Sequence, residues 1–464
     1  MMYDYAIVGA GSAGCVLAAR LSEDASAKVL LLEAGPPDDA AEITIPASLF
    51  LAEAQAVLLG GPRAWAYATT PQPHAGDRAI PWPSGRTLGG SSSINGMIYI
   101  RGNRLDYDDW RDTYGCTGWG YDDLLPYFIR AEDQERGASD YHGTGGPLRV
   151  EDPRYRHPLS QVWLDAARAA GLPDNDDFNA ASQGGVGYYQ YTQRHGRRCS
   201  TADAYLRPAL GRDNLTVETN ASVTGLILES GRAAGVRYVR SGEECEARAN
   251  REVLLCGGAV NSPRLLLLSG IGPASHLREC GIDPLIDAPN VGMGLQDHPV
   301  CLPEWSTPGI RSFPEEAALP ESMDLWRREG RGPLASGGDD VGGFARSRSG
   351  LRAPDLQFGT FPFAQFFNPE STLERRRGLS QLVIGIGARS RGRVSLEPAD
   401  PRTTPVIDPA YFTDEADLDL MVAGVRLTRE IAASQPLAAL IAAELVPGER
   451  CADDAQLRDW VRRT

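Results

Sequence analysis

The sequence predicts an α/β fold, and three stretches carry this prediction. At the amino end, an apolar run breaks at a glycine turn, resumes as a helical pattern and is followed by a second apolar run. A strand, a glycine pair and a helix recur near the middle of the chain, at 251–268. Beyond residue 300, alternating and aromatic runs predict further strands. Strands that alternate with helices are typical of a parallel sheet with helices on its faces.

The amino-terminal stretch, residues 3–33, has the order strand, turn, helix and strand. Apolar runs predict strands at 5–8 and 29–32, and helical spacing of apolar residues predicts a helix from 12 to about 22. This order places the glycine turn between a strand and a helix, which is the context that a dinucleotide-binding fingerprint requires. The stretch therefore predicts a nucleotide site.

The turn contains Gly9, Gly11 and Gly14. The first glycine permits a tight turn, the second lets the backbone approach a pyrophosphate, and the third lets helix and strand pack closely. Phosphate oxygens are expected against the unpaired N–H groups at the positive end of the helix dipole. Glu33 ends the second strand, where its carboxylate can accept hydrogen bonds from a ribose diol.

Length and charge are typical of a soluble enzyme. A chain of 464 residues can bury a large core, and its net charge of −15 argues against a nucleic-acid surface, which needs a basic patch. The first strand is predicted within a few residues of Met1, and no apolar run approaches the length of a membrane span. We therefore expect no nucleic-acid partner, no membrane span and a cytoplasmic protein.

The eight cysteines are scattered and form no Cys-x-x-Cys pair, so neither a zinc site nor a redox pair is predicted. Reduced, mostly buried thiols are the interpretation that we prefer. The cysteines are Cys15, Cys116, Cys199, Cys245, Cys256, Cys280, Cys301 and Cys451.

The rest of the chain divides into elements by the same rules. Residues 36–70 are polar and broken by proline and glycine, which indicates a covering excursion rather than a core strand. Helices are predicted at 110–129, 158–170, 319–331, 418–425 and from about 453. Strands are predicted at 184–190, 214–218, 222–229, 234–239, 251–256, 379–388 and 393–396.

Residues 85–108 concentrate hydrogen-bond donors. A glycine pair is followed by three serines and an amphipathic run that ends at Arg101. Many free N–H and hydroxyl groups in one place suit an anion or the rim of a cofactor. The alternative is a flexible Ser/Gly loop, and composition alone does not decide between a binding segment and such a loop.

This segment resembles the first signature of the glucose-methanol-choline (GMC) oxidoreductase family of flavoproteins, and residues 258–272 resemble the second. Together with the amino-terminal fingerprint, the resemblance runs from residue 3 to the last residue. The matching positions are Gly85, Arg86, Leu88, Gly89, Gly90, Ser91, Ser92, Ile94, Asn95, Tyr99, Gly102 and Asp108 in the first signature, and Gly258, Ala259, Ser262, Pro263, Leu265, Leu266, Ser269, Gly270, Ile271 and Gly272 in the second.

The resemblance implies FAD as the cofactor. Val223 would meet its adenine side through the backbone, although a valine in a strand also suits core packing. In some members a histidine replaces the residue at Asn95 and bonds covalently to the flavin, so Asn95 implies non-covalent FAD. The implied cofactor-binding residues are Gly9, Gly11, Ser12, Ala13, Gly14, Glu33, Ala34, Arg86, Leu88, Gly90, Ser91, Asn95, Gly96, Met97, Val223 and Ala259.

The family's architecture implies a Rossmann-like FAD-binding domain and a second, α+β domain for the substrate, built on an antiparallel sheet. In this chain the FAD-binding domain would comprise residues 1–150 and 195–300. The substrate-binding domain would comprise residues 151–194 and 301–464.

Five phenylalanines crowd residues 355–367: Phe358, Phe361, Phe363, Phe366 and Phe367. They suit either a packed core or the wall of the substrate pocket, and the sequence leaves both open. If some of them line the pocket, the small-molecule alcohol is apolar or aromatic rather than a sugar.

Alcohol oxidation by a flavin needs a base for the hydroxyl proton while a hydride passes to the flavin, and a histidine suits that role. In the family, this histidine and its His or Asn partner lie in a C-terminal segment beginning just after the position of residue 462, and we expect that segment to be absent here. We therefore assign no catalytic residue and expect poor alcohol oxidation. The histidines present, which match no catalytic position of the family, are His74, His142, His157, His195, His276 and His298.

The function that the resemblance implies is that of an FAD-dependent alcohol dehydrogenase or oxidase, with oxygen or an external carrier as electron acceptor. The chain lacks the second glycine motif and the redox-active cysteine pair that a flavoprotein reductase requires. The alternatives are an inactive or split flavin-binding remnant, and a lyase or light-driven decarboxylase branch of the same fold. The decarboxylase is disfavoured because residues 355–389 contain no cysteine.

Overall fold

Two large sheets organise the protein. The computed structural model describes residues 2–364, 376–397 and 404–464. Within these ranges, the strands are Met2–Val8 (β1), Val29–Leu32 (β2), Ala64–Ala68 (β3), Pro81–Gly85 (β4), Glu132–Gln134 (β5), Leu148–Val150 (β6), Gly185–Tyr188 (β7), Gln193–Arg194 (β8), Arg197–Arg198 (β9), Leu215–Glu218 (β10), Ala221–Glu229 (β11), Arg232–Arg240 (β12), Glu243–Leu255 (β13), Ile271–Gly272 (β14), Ile286–Asp287 (β15), Met293–Leu295 (β16), Val300–Cys301 (β17), Glu304–Ser306 (β18), Val341–Ala345 (β19), Leu356–Phe361 (β20), Gly378–Gly385 (β21), Gly392–Ser395 (β22), Val406–Asp408 (β23) and Ala443–Val446 (β24).

The α-helices of the described residues are Ser12–Leu21 (α1), Ala41–Thr44 (α2), Ala52–Gly60 (α3), Arg104–Asp112 (α4), Tyr121–Ala131 (α5), Pro158–Ala169 (α6), Arg207–Ala209 (α7), Gly258–Leu268 (α8), Ala274–Glu279 (α9), Phe313–Ala317 (α10), Pro320–Glu329 (α11), Glu415–Ala433 (α12) and Asp454–Arg463 (α13). Short 3₁₀ turns occupy Pro46–Phe50, Pro73–Ala75, Gly90–Ser93, Pro333–Ala335 and Leu437–Ala439, and a π turn occupies Ala202–Leu206. No helix in these ranges is long and apolar enough to cross a bilayer.

The first sheet is mixed, with the strand order β10-β2-β1-β13-β12-β11. Its first four strands run parallel, and β13, β12 and β11 are antiparallel neighbours. Every residue of β2 is buried, because helices and loops cover both faces of the parallel half. The small residues Gly14, Cys15, Ala18 and Ala19 form the buried face of α1, so this helix lies close to the sheet.

The parallel strands end at one edge of the sheet. Gly9 follows β1, Glu33 follows β2 and Cys256 follows β13. The register pairs Val8 with both Leu32 and Leu255, so the three strand ends lie side by side. Ligands of open α/β sheets bind at this carboxyl edge.

The second sheet has the order β24-β18-β21-β20-β19-β7 in the described part of the chain, and every pair in it is antiparallel. Helix α12 covers one face and packs Met421 and Val425 against Phe358 and Val383. Helix α6 adds Trp163, whose indole N–H donates to the Gln381 side chain at 3.0 Å. This antiparallel sheet with helices against it is the second unit that the sequence led us to expect.

Most predicted elements are present, but one prediction was imprecise. The helical pattern at 110–129 belongs to two helices, α4 and α5, because Gly115 and Gly118 adopt positive φ between them. The excursion at 36–70 contributes no strand to either large sheet, as expected. Its strand β3 pairs with β4 in a separate hairpin.

A buried ionic network stabilises the segment after the first signature. Glu132, which is fully buried, accepts a hydrogen bond from Arg101 at 2.8 Å and contacts His142 Nδ1 at 2.9 Å. His142 Nε2 lies 2.8 Å from an oxygen of Asp177. Burial lowers the pKa of His142, but hydrogen bonds to Asp177 and Glu132 outweigh burial and raise the pKa to about 9.

This network predicts a pH-dependent stability. Because the pKa of His142 is higher in the folded than in the unfolded protein, its stabilisation is complete below the unfolded pKa of about 6.5 and is lost as the pH rises through about 9. We expect the free energy of unfolding to fall by about 2 to 3 kcal/mol over this interval, and His142→Gln to flatten the fall. Urea denaturation at about pH 6 and about pH 9.5 measures the free energy of unfolding of both proteins. Exposed His74 provides the control, since His74→Gln should keep the wild-type slope, and an equal slope in His142→Gln would contradict the prediction.

Candidate functional site

A cavity of about 510 Å³ opens at the carboxyl edge of the first sheet. Its volume lies within the range typical of small-molecule sites. It is lined by segments that follow β1, β2 and β13, by the first signature and by the start of β11. Among the predicted cofactor-binding residues, those that line it are Gly9, Gly11, Ser12, Ala13, Glu33, Ala34, Gly90, Ser91 and Val223.

The three glycines of the turn have the distinct roles that the fingerprint predicts. Gly9 has φ +95°, and a Cβ on it would lie 2.6 Å from the Cys256 carbonyl oxygen. A Cβ on Gly14 would lie 1.9 Å from the Gly9 carbonyl oxygen, so only glycine lets α1 pack so closely on the turn. Gly11 is different, because a Cβ there would meet nothing closer than the Gly90 Cα at 3.9 Å. Its backbone is therefore open to the cavity.

The amino end of α1 is uncapped and borders the cavity. Ser12 and Ala13 are exposed and line the cavity, and no side chain caps the helix at Gly11. Unpaired N–H groups and the positive end of the helix dipole therefore face the cavity, where they favour phosphate oxygens.

Glu33 is fixed by backbone donors at the end of β2. Its two carboxylate oxygens accept hydrogen bonds from Ala10 N at 2.8 Å and from Gly35 N at 2.9 Å. Burial raises the pKa of Glu33, and these N–H groups oppose the rise. A carboxylate has about four acceptor sites. Those that remain can accept hydrogen bonds from hydroxyl groups in the cavity.

The first signature packs directly on the glycine turn. A Cβ on Gly90 would lie 2.6 Å from the Gly11 Cα, so the two glycine segments approach at van der Waals distance. Arg86 stacks on the Trp65 ring at 4.7 Å and donates to the Ala34 carbonyl at 3.2 Å. Its Nε is buried and has no hydrogen-bond partner among the described residues.

Seven predicted residues do not line this cavity. Gly14 and Leu88 pack behind it, Arg86 lies beside it, and Ala259 adjoins Gly258, which does line it. The remaining three continue the first signature beyond the cavity: Asn95, Gly96 and Met97. Asn95 is exposed and its backbone N–H donates to the Ser91 carbonyl at 2.9 Å, so this turn follows directly from the cavity wall.

Several lining residues were not predicted individually. Trp65 comes from β3, and its ring stacks on Tyr67 at 5.6 Å. The Tyr67 hydroxyl donates to Asn261 of α8 at 2.8 Å, which connects the hairpin to the second signature. The alternation of Trp65 and Tyr67 was the available signal. The other lining residues not predicted are Leu32, Val8, Ser84, Gly85, Ala221, Ser222, Leu255, Cys256, Gly257, Gly258, Asn261, Ser262, Arg264, Leu265 and Leu268.

These residues fit FAD. The open helix end suits the diphosphate, the spare acceptor sites of Glu33 suit a ribose diol, and buried Arg86 Nε is a donor with no described partner. Val223 lines the cavity and also packs against the core. Core packing of this residue is therefore observed, and its contact with the adenine stays a prediction.

None of the six histidines lines the cavity. His142 belongs to the buried network, His157 accepts from Leu159 N as the cap of α6, and His276 accepts from Leu396 N. His74 and His298 are exposed, and His195 has φ +52° in the β8–β9 turn. Within the described residues, no group of three or more potential ligands could hold a metal ion.

Three of the five phenylalanines of residues 355–367 are buried in packed clusters. Phe358 packs under α12, and Phe361 and Phe363 pack with Phe50 at ring distances of 5.3 and 6.2 Å. All three are buried in cores rather than in the wall of the cavity. Phe366 and Phe367 lie outside the described residues.

Comparisons with known proteins identify the family of this chain. A family model of the amino-terminal part of GMC oxidoreductases matches residues 3–300, and a model of the carboxy-terminal part matches residues 388–464. Mitochondrial choline dehydrogenase of Mus musculus is 41% identical over 472 residues, which cover 99% of this chain and 78% of that protein. Alcohol dehydrogenase (acceptor) of Pseudomonas putida is 39% identical over 465 residues, with 98% and 83% covered.

Solved structures share the fold. A structure of formate oxidase from Aspergillus oryzae, which concerns modification of its FAD, superimposes with a TM-score of 0.88 at 25% identity and covers 99% of this chain and 86% of that one. The predicted fold class, the FAD cofactor and the oxidation of alcohol CH–OH groups are thereby confirmed. This chain belongs to the GMC oxidoreductase family.

Proposed function

We propose that the chain binds FAD without a covalent bond and oxidises a small alcohol at its CH–OH carbon, with the isoalloxazine ring beside Asn95. The observation that carries this proposal is the cavity in which the glycine turn, Glu33 and the first signature meet. FAD bound there would supply a hydride acceptor for the alcohol carbon.

The residues around the cavity would divide the work of binding. Backbone N–H groups of Ser12 and Ala13 would hold the diphosphate, and Glu33 would accept from the ribose. The backbone at Val223 would lie along the adenine. The amide of Asn95, exposed one turn beyond Ser91, supports placement of the ring at that end. We assign residues 1–150 and 195–300 to this FAD-binding domain, and residues 151–194 and 301–464 to the substrate-binding domain.

Proton removal from the alcohol is expected to be slow. None of the six histidines of this chain lines the cavity. We therefore expect that none of them takes the hydroxyl proton of the alcohol. We therefore expect hydride transfer without the acceleration of roughly 10² to 10⁴ that a positioned base supplies.

Three finer features stay predictions: the substrate, the electron acceptor and the cellular location. An apolar or aromatic substrate was predicted for the case that phenylalanines of residues 355–367 line the substrate pocket, and the three described ones are buried and do not line the cavity. A choline-like alcohol is therefore an equally important compound to test, since choline dehydrogenases are among the relatives. The electron acceptor is either oxygen or an external carrier, and the cytoplasmic location is likewise a prediction.

The proposal predicts a yellow protein whose colour is released by acid. The purified chain is incubated with excess FAD, desalted and examined by absorption spectroscopy, then precipitated with acid. We expect a flavin spectrum from the folded protein and flavin in the supernatant after precipitation. Anaerobic addition of benzyl alcohol or choline should then bleach the flavin slowly, and readmission of air or an added dye identifies the acceptor.

Three results would count against the proposal. Folded protein that stays colourless with excess FAD contradicts the cofactor site. Flavin that remains in the acid pellet contradicts the non-covalent attachment. Bleaching that is complete within the mixing time contradicts the absence of a base from the cavity.

A further inference from the structure

Arg198 is a buried guanidinium that contacts the turn carrying Asn95. It is 4% exposed, and its Nε donates to the Ile43 carbonyl at 2.8 Å. Its Nη1 donates to the Ser92 carbonyl at 3.1 Å and to Asn95 Oδ1 at 2.8 Å. Every one of these acceptors is uncharged.

No described carboxylate forms an ion pair with Arg198, and its Nη2 has no described hydrogen-bond partner. Asp203 exerts an electrostatic influence, but its carboxylate accepts hydrogen bonds from Ser200 and pairs with Arg207. Burial lowers the pKa of Arg198 to about 10, so the group is still a cation at neutral pH. An unpaired buried charge costs several kcal/mol. Such a cost suggests a role for the charge in the site.

The same contact orients the Asn95 amide. Its Oδ1 accepts from both Arg198 Nη1 and Met97 N, the latter at 3.1 Å, so the oxygen faces the protein. The Nδ2 group is consequently directed away, and no described residue accepts a hydrogen bond from it. Because Asn95 is exposed, its two amide N–H donors face solvent.

We propose that Arg198 is a positioning residue, which turns the Asn95 donors toward the flavin ring and supplies a positive charge that favours electron uptake by the ring. This inference rests on the proposed function, since that function places the ring beside Asn95. Dipoles and charges that the fold holds in place interact favourably with opposite charge that develops beside them. Reduction adds negative charge to the ring, so the arrangement should raise its reduction potential.

Asn95→Asp provides the deciding test, because the side chain keeps its shape at an exposed position. The carboxylate would pair with Arg198, cancel its charge and remove the two amide donors. We expect the dissociation constant of sulfite, whose adduct places negative charge on the flavin, to rise about ten- to hundredfold. The same factor in the reduction equilibrium is a fall of about 30 to 60 mV in the two-electron potential.

Substitutions of Arg198 distinguish the effect of its positive charge from the effect of its side-chain shape. Arg198→Lys keeps the charge and should change sulfite binding less than Arg198→Met, which removes it. Arg212→Lys is the matched control, because Arg212 is a half-buried arginine that binds Ala19 and Ser22 at the far end of α1. It should leave sulfite binding and the potential unchanged.

The outcomes are distinct. If wild-type protein binds no FAD, the proposed function fails. If wild-type and Asn95→Asp both bind FAD, but their sulfite affinities agree within about twofold and their reduction potentials within about 10 mV, the role of Arg198 is refuted. Should Arg198→Met not fold, Asn95→Asp still decides. A fall in both quantities, with an unchanged melting temperature, supports the assignment.

Discussion

Replacing Gly14 with valine is expected to weaken FAD binding by about tenfold to a hundredfold. A Cβ at this position would lie 1.9 Å from the Gly9 carbonyl oxygen, and both groups are backbone or fixed to it, so α1 must move off the glycine turn. Overpacking of this kind costs about 1 to 3 kcal/mol or more, which weakens a site on the displaced helix at least about tenfold to hundredfold. Fluorescence titration of the desalted protein with FAD measures the effect.

Gly60→Ala is the control for this variant. Gly60 ends α3, and a Cβ there would meet no atom within 4 Å. We expect unchanged FAD affinity and a melting temperature equal to that of the wild type or slightly above it, since alanine is the better helix former. Full FAD affinity in Gly14→Val would show that α1 does not carry the diphosphate.

Replacing Glu33 with alanine is expected to raise the dissociation constant of FAD by about a hundredfold or more. The change removes the proposed ribose contact, in which each hydrogen bond to the carboxylate contributes about 1.5 to 3 kcal/mol. It also leaves the N–H groups of Ala10 and Gly35 without their acceptors, which lowers the stability of the folded protein, with or without FAD, by about 1 to 3 kcal/mol for each buried group. Equilibrium titration with FAD gives the affinity, and thermal denaturation of the FAD-free protein separates it from the loss of stability.

Glu23→Ala provides the comparison at the surface. Glu23 forms an exposed ion pair with Arg20 at 2.7 Å, and such pairs contribute about 0 to 1 kcal/mol. We expect FAD affinity to be unchanged in this variant. If Glu33→Ala retains an affinity within about threefold of the wild type, Glu33 serves the fold alone.

The parts of the site that the sequence predicted are marked by patterns of residues that lie close together in the chain. Gly9, Gly11 and Gly14 take part in one strand–turn–helix unit, where hydrophobic periodicity and glycine spacing are visible within about 30 residues. Glu33 was predictable as a binding residue because it ends a predicted parallel strand, and ligands of open α/β sheets bind at the carboxyl ends of the strands. The first signature was recognised as a family pattern, whereas its composition alone was equally compatible with a flexible Ser/Gly loop.

The parts that were not predicted depend on contacts between distant residues. Trp65 reaches the cavity because β3 pairs with β4, a strand with two prolines that gives a weak strand signal. The Tyr67–Asn261 hydrogen bond spans 194 positions, so no local window contains it. Arg198 illustrates the same limit, because only the folded chain reveals that it is buried and unpaired. The burial of Phe361 and Phe363 likewise depends on Phe50, far away in sequence.

The cavity wall is assembled from segments near residues 10, 34, 65, 90, 222 and 260, which are far apart along the polypeptide. FAD bound in this cavity would contact several remote stretches of the chain at once, and unfolding of the protein would release the cofactor. A ligand at about a hundred times its dissociation constant adds about 2.7 kcal/mol to folded-state stability. The amount of flavin available in the host cell during synthesis should therefore govern how much intact protein accumulates.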